Sequence, residues 1–373
     1  MSVEPDWLKR AVDQAAALHP YVPGKPLEQL LRERGIAEAV KLASNENPFG
    51  PSPAACEAMA RALGEVHRYP DGNATELKTA LAVRHGVSAD HILPGNGSNE
   101  VLELVIRTFA GPGDRVVSSK RGFIVYALAA QAAGAQSHTV PEPDGLTHDL
   151  DAMAEAVDER TKVVCIANPN NPTGTVHDAA TVQRFLDALP RDVVVILDEA
   201  YHEFVSDLLG DSWQRLSHPG LVITRTFSKA YGLAGCRIGY AVSSPGLLEI
   251  VNRFREPFNV NVLAQQAALA ALNDEEWMIK GVEAVKQQRT RLESFLDELG
   301  MLGGRSHGNF VLLRHPKAAE IAQELEALGM IPRPLGPYGM ADYLRITVGR
   351  PEENDRLMDA LASIAQNLEI HQV

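Results

Sequence analysis

The chain has 373 residues, 45% of them hydrophobic and 22% charged, which suggests a soluble globular protein of about two domains with a large buried core. Lys and Arg number 35 against 48 Asp and Glu, and a formal charge of −13 argues against a nucleic-acid or anionic-membrane partner. Three scattered cysteines, Cys56, Cys165 and Cys236, argue against a disulfide framework and a thiolate zinc site.

In chain order, the start "MSVEPDWLKR" has no apolar signal core, and no apolar run is long enough to span a bilayer, so a cytoplasmic protein is expected. Ser52-Pro53 reads as a capped helix start with proline in the first turn, and Asn73 with Glu76 as a capping box. "HILPG" (91–95) leads into "NGSNE", which opens a helix continuing "VLELVIRTF". Strands follow at 114–119, 162–168, 192–198, 221–227 and 237–242, with helices at 149–161 and 178–190 between them. Ser244-Pro245 repeats the capped start.

Apolar β-branched runs alternating with helices predict an α/β fold, its mostly parallel sheet covered on both faces. Near residue 262 the pattern changes. A helical region to about 299 precedes "GNFVLLR" (308–314), a helix at 318–329, the strand "YLRITVG" (343–349) and a last helix. This predicts a large domain over 41–265 and a smaller α+β domain over 266–373, with residues 1–40 packing on the small domain.

In open α/β sheets, ligands bind beyond the carboxyl ends of the strands. The residues at or just past those ends are Asn171 in "NPNNPTG", Asp198 with Tyr201 three residues on, Thr226 in "LVITRTF", and Ser228 and Lys229 after it. Ser98 and Asn99 open a helix whose free N–H groups suit a phosphate. These parts match pyridoxal 5′-phosphate. It needs a lysine amine to bond its aldehyde (Lys229), a carboxylate against its ring nitrogen (Asp198), and donors to its ring oxygen (Tyr201, Asn171). It also needs a cationic, hydroxyl-rich phosphate cradle (Thr226, Ser228, Arg237). "GNGSN" is not a dinucleotide fingerprint, because Glu100 replaces the third glycine, and no Walker A motif, H-E-x-x-H or metal site is present.

"NPNNPTG", "LDEAYHEF" and "TFSKAYGLAGCRIGY" resemble the fold-type I aminotransferases. "PYVPGKP", "KLASNENPFGPSP", "RYPDG", "REPFNVN" and "LRITVG" bring the likeness closer to the histidinol-phosphate aminotransferases, over nearly the whole chain. The resemblance implies a homodimer with shared active sites, in which Tyr69 reaches the phosphate of the partner's cofactor. It implies that Phe123 stacks on the cofactor ring, Tyr21 lies near the substrate, and Arg333 and Arg345 hold the substrate's anion. Substrates would be a small anionic amino donor, histidinol phosphate, and a 2-oxo acid. An aromatic amino-acid aminotransferase, a phospho-amino-acid decarboxylase and a non-catalytic regulator are the alternatives. One departure from the family is "SKRG" (119–122), where Lys120 and Arg121 add charge before Phe123. They are either solvated side chains, or Arg121 contacts an anionic substrate.

Overall fold

The computed structural model describes residues 7–18, 27–34, 36 and 38–367. The alternating apolar runs form one seven-stranded sheet: β1 (Ile92–Gly95), β2 (Arg115–Ser119), β3 (Gln136–Val140), β4 (Thr161–Ala167), β5 (Val194–Asp198), β6 (Leu221–Thr226) and β7 (Gly239–Ser243). Their spatial order is β1-β7-β6-β5-β4-β2-β3. β7 runs antiparallel to both of its neighbours, and every other pairing is parallel. The mostly parallel α/β sheet expected from sequence is therefore present, with one reversed strand.

Strand residues alternate between two buried faces. Val163, Cys165, Val194, Ile196 and Val222 pack with Val101, Val105 and Tyr126, whereas Val164, Ile166, Val195, Leu197 and Ile223 pack with Leu77, Phe185 and Leu186. Helices cover both sides, so these strands read as continuous apolar runs rather than as alternating ones. The reversal of β7 matters for function. It makes residues 227–238 a connection at the carboxyl end of β6, so Lys229 and Arg237 return to the same edge.

Several local expectations change in the structure. The helix expected over 149–161 ends early, at Leu150–Glu155, because β4 begins at Thr161. The hydroxyl of Ser52 does accept the Ala55 N–H, but Ser244 makes no side-chain cap although Pro245 starts its helix. The Asn73–Glu76 capping box does not form. Asp71, two residues upstream, accepts the N–H groups of Asn73 and Thr75 instead, and a carboxylate outcompetes an amide as acceptor. The region 262–299 is two helices, Val262–Leu272 and Glu275–Glu298.

A second sheet has four antiparallel strands: β8 (Leu302–Gly304), β9 (Phe310–Arg314), β10 (Arg333–Leu335) and β11 (Met340–Thr347), in the order β10-β11-β9-β8. Arg345 pairs with Leu312, and alternation puts it on the face opposite Leu344 and Ile346. The segment after Val40–Lys41, which pairs with Met330–Ile331, threads between the two sheets. Leu42 O accepts the Thr347 N–H, the Asn45 N–H reaches Thr347 Oγ1, and Asn47 Nδ2 reaches Ala230 O. The helix Asp13–Ala17 lies against the helix Val125–Ala132, so this part of residues 1–40 packs on the large domain and not on the small one as expected; Val40–Lys41 joins the small domain, through Met330–Ile331. No helix among the described residues is long and apolar enough to cross a membrane.

Candidate active site

The carboxyl ends of β4, β5 and β6, the start of the helix Ser98–Phe109, residues 43–46 and the small sheet enclose a cavity of about 400 Å³. Lys229, Asp198, Tyr201, Asn171, Ser98, Asn99, Phe123, Thr226, Ser228, Arg237, Arg333 and Arg345 all border it. Tyr69 does not: it is 82% exposed and stacks on Phe258 with ring centres 4.7 Å apart. Tyr21 lies outside the described residues.

Strand parity decides which of two adjacent acids faces the cavity. Asp198 shares the face of Val194 and Ile196, where Tyr126 OH donates to Oδ2 at 2.8 Å and Thr224 Oγ1 donates to Oδ1 at 3.2 Å. Glu199 turns the other way, into a buried pair with Arg225 at 2.8 Å. Burial tends to raise the Glu199 pKa, but Arg225 and His202 outweigh it and hold the group at about 2. Asp198 has only neutral donors. Burial above all, with a contribution from Glu199, pushes it up to about 6 against the pull of Tyr126 and Thr224. A buried carboxylate lacking a cationic partner suits a ring nitrogen that carries a proton.

Lys229 Nζ donates to Ser44 O at 3.1 Å and lies 5.9 Å from the centre of the Tyr201 ring. Burial lowers its pKa from 10.5 to about 7, helped by Arg345, Arg237 and Lys41 and opposed by Glu46. Burial thus favours the neutral amine, the form a nucleophile or base needs. Tyr201 is buried, and its hydroxyl oxygen accepts from Asn45 Nδ2 at 2.8 Å. Burial pushes its pKa up to about 12, so the phenol keeps its proton and can donate it. Arg345 Nη1 donates to Asn171 Oδ1 at 2.5 Å and Nη2 to Ala43 O at 2.6 Å, which fixes the amide's orientation. Arg333 is the cross-strand partner of Arg345, so two guanidinium groups share one edge.

The helix Ser98–Phe109 starts after Gly97, whose φ is +81°. A Cβ there would sit 2.4 Å from Arg237 Nη2, and one on Gly239 would sit 2.5 Å from Ser98 N. Glycine alone lets the guanidinium close over the first turn of the helix. Thr226 Oγ1 donates to Ser228 Oγ at 2.9 Å beside it. Hydroxyls, a guanidinium and a helix N-terminus are the groups that suit a phosphate. These residues fit pyridoxal 5′-phosphate at both of its ends.

Residues 37–361 match the family model for aminotransferase class I and II. A protein named histidinol-phosphate aminotransferase 2, from Pseudomonas aeruginosa, is 47% identical over 364 residues, covering 96% of this chain and 98% of that one. The chain belongs to the histidinol-phosphate aminotransferase family. A histidinol-phosphate aminotransferase 1 from Cupriavidus pinatubonensis is 46% identical over 358 residues, covering 94% of this chain and 95% of that one. The crystal structure of the Sinorhizobium meliloti histidinol-phosphate aminotransferase in complex with pyridoxal 5′-phosphate superposes with a TM-score of 0.87 at 31% identity, covering 96% of this chain and 98% of that one.

Residues that sequence reasoning did not single out line the aminotransferase cavity or support its side chains from behind. Tyr126 and Thr224 hold Asp198, Ser44 and Asn45 hold Lys229 and Tyr201, and Tyr338 lines the wall contributed by the small sheet. A signal existed for two of them, since "SNENP" is a polar run between apolar and proline-rich segments, and Asn45 adopts φ +54°, which asparagine tolerates. Tyr126 carried no signal, because a helix residue facing a strand end looks like any core aromatic. Arg121 does not line the cavity: it is half-buried and its guanidinium donates to Gly145 O, whereas Lys120 is exposed.

Proposed function

We propose that this enzyme is a pyridoxal 5′-phosphate-dependent transaminase that interconverts histidinol phosphate and 2-oxoglutarate with imidazole acetol phosphate and glutamate, in histidine biosynthesis. The observation that carries the reading is a lysine amine, held by Ser44 O at 3.1 Å, in the same cavity as the buried, hydrogen-bonded Asp198 and a cross-strand pair of arginines.

Bound pyridoxal 5′-phosphate supplies an aldehyde that condenses with amines and a conjugated ring that accepts the electron pair of a broken C–H bond. The protein's own groups do the rest. Lys229 would hold the aldehyde carbon through its Nζ and, as a free neutral amine, would accept the proton from the donor's amine-bearing carbon. Asp198 holds a proton on the ring nitrogen, and the hydrogen-bonded Tyr126 and Thr224 keep its carboxylate in place. Tyr201 and Asn171 donate to the ring oxygen, and Phe123 covers one ring face. Ser98, Asn99, Thr226, Ser228 and Arg237 bind the cofactor's phosphate.

Arg333 and Arg345 bind the anionic end of the substrate. A guanidinium fork accepts a phosphate ester or a carboxylate bidentately, so one site serves both half-reactions. The enzyme acts as a cytoplasmic homodimer, and Tyr69, idle on its own subunit, reaches the partner's phosphate site. The exposed Tyr69–Phe258 stack supports this arrangement.

Purified enzyme is assayed with histidinol phosphate, phenylalanine, tyrosine and phosphothreonine as donors, each with 2-oxoglutarate. Preferred turnover of histidinol phosphate with stoichiometric glutamate is the expected result. Preference for an aromatic donor, or carbon dioxide release without consumption of the oxo acid, refutes the substrate reading. Absence of a borohydride-fixed label on Lys229 refutes the cofactor reading.

A further inference from the structure

The charged turn "SKRG" (119–122) is tied into a closed hydrogen-bond circuit. Glu142, 9% exposed, accepts the Arg121 N–H at 2.6 Å and the Ser119 hydroxyl. The Arg121 guanidinium crosses to donate to Gly145 O. Arg121 O in turn accepts from Asn170 Nδ2 at 3.0 Å, and the same amide nitrogen donates to Thr173 Oγ1 at 2.7 Å. Asn170 is completely buried, and its main chain exchanges bonds with Thr175 and Gly174 at 2.8 and 2.9 Å. Thr175 Oγ1 closes the circuit on Leu146 O at 3.2 Å.

We propose that Arg121 is a positioning residue that locks the turn carrying Phe123 to the loop carrying Asn171, using residues 142–146 as the brace. The proposal rests on the cofactor site described above, because those two side chains flank opposite parts of the cofactor ring. Phe123 follows Arg121 by two residues and Asn171 follows Asn170 by one, so neither can shift without breaking a member of the circuit. Leu146 continues the brace outward and packs against the small-sheet cluster of Leu312, Leu335, Met340 and Tyr343. The brace requires glycine at 145. Its φ is +76°, and a Cβ would lie 2.6 Å from Arg121 Nη1. The positive charge of Arg121 serves a backbone oxygen, and charge-assisted bonds of this kind are the stronger ones.

The test compares R121M, R121K and G145A with wild-type enzyme, alone and as the R121M/G145A double variant. Three quantities are read: the cofactor dissociation constant, backbone hydrogen exchange over 120–124 and 168–175, and kcat and KM separately. R121M is expected to weaken cofactor binding about tenfold, a size typical of one lost charge-assisted bond. It is also expected to speed exchange over 168–175 and lower kcat, while the KM for an anionic donor stays within about twofold. R121K keeps a donor and restores most of each quantity. G145A reproduces the R121M defects, and the double variant is no worse than either single one, because both cut the same tie. A raised KM for phosphate-bearing donors with unchanged cofactor binding and exchange would overturn the proposal in favour of anion binding, and four unchanged proteins would remove it outright. Exchange read on cofactor-free protein needs no donor and no cofactor. If the wild type rejects histidinol phosphate or pyridoxal phosphate, the functional reading fails while exchange still reports on the brace.

Discussion

Replacing Lys229 with methionine should stabilise the cofactor-free protein, and the gain should fade as the pH rises. The amine titrates at about 7 in the folded chain and at its ordinary 10.5 when unfolded. Between those values the unfolded chain binds more protons, so native stability rises with pH across that window and is lowest below about 7. The gap corresponds to roughly 5 kcal/mol at about 1.4 kcal/mol per pH unit. Water in the open cavity screens part of it, leaving about 2 kcal/mol as the working figure. Methionine has similar length and no charge, and the freed Ser44 carbonyl borders the cavity, where water can reach it. Cofactor-free K229M should therefore exceed cofactor-free wild type by about 2 kcal/mol in urea unfolding at pH 6.5–7, or by about 2–4 °C in melting temperature. Near pH 10.5 the two curves should coincide. Both proteins are compared at one concentration, since association shifts apparent stability. Equal stability at pH 7, or a difference independent of pH, refutes the claim that burial and neighbouring cations neutralise this lysine.

Asp198→Asn should lower kcat about 1,000-fold, the rate equivalent of roughly 4 kcal/mol of lost electrostatic support at the ring nitrogen, while the protein still folds. Steady-state kinetics within tenfold of wild type would rule this out. Gly97→Ala should weaken cofactor binding tenfold or more, about what a displaced Arg237 and a strained φ would cost; unchanged affinity in a fluorescence titration would count against the cradle. If Tyr69 completes the partner's site, mixing inactive K229A with impaired Y69A and allowing subunits to exchange should restore about a quarter of wild-type activity, because half the dimers then carry one intact site. No recovery would dismiss the shared site.

Much of the cavity was legible in the sequence because its residues sit at fixed offsets from strand ends. Apolar runs locate the strands, their carboxyl ends locate the ligand, and Asn171, Asp198, Tyr201 and Lys229 follow within a few residues. Local chemistry was less readable where two acceptors compete for one helix start, as with Asp71 and Asn73.

The sequence by itself determined that a lysine, an acid and a glycine-led helix start each follow an apolar run, since strand ends and alternation are local consequences of side-chain pattern. Only the tertiary structure decided that Asp198 and not Glu199 faces the cavity, that Asn45 and Tyr126 come from distant segments to hold Tyr201 and Asp198, and that the Arg121 guanidinium reaches Gly145 O. Those outcomes depend on hydrogen bonds between residues up to 156 positions apart, and on how much water each charge loses. Neither is encoded in the spacing of residues along the chain.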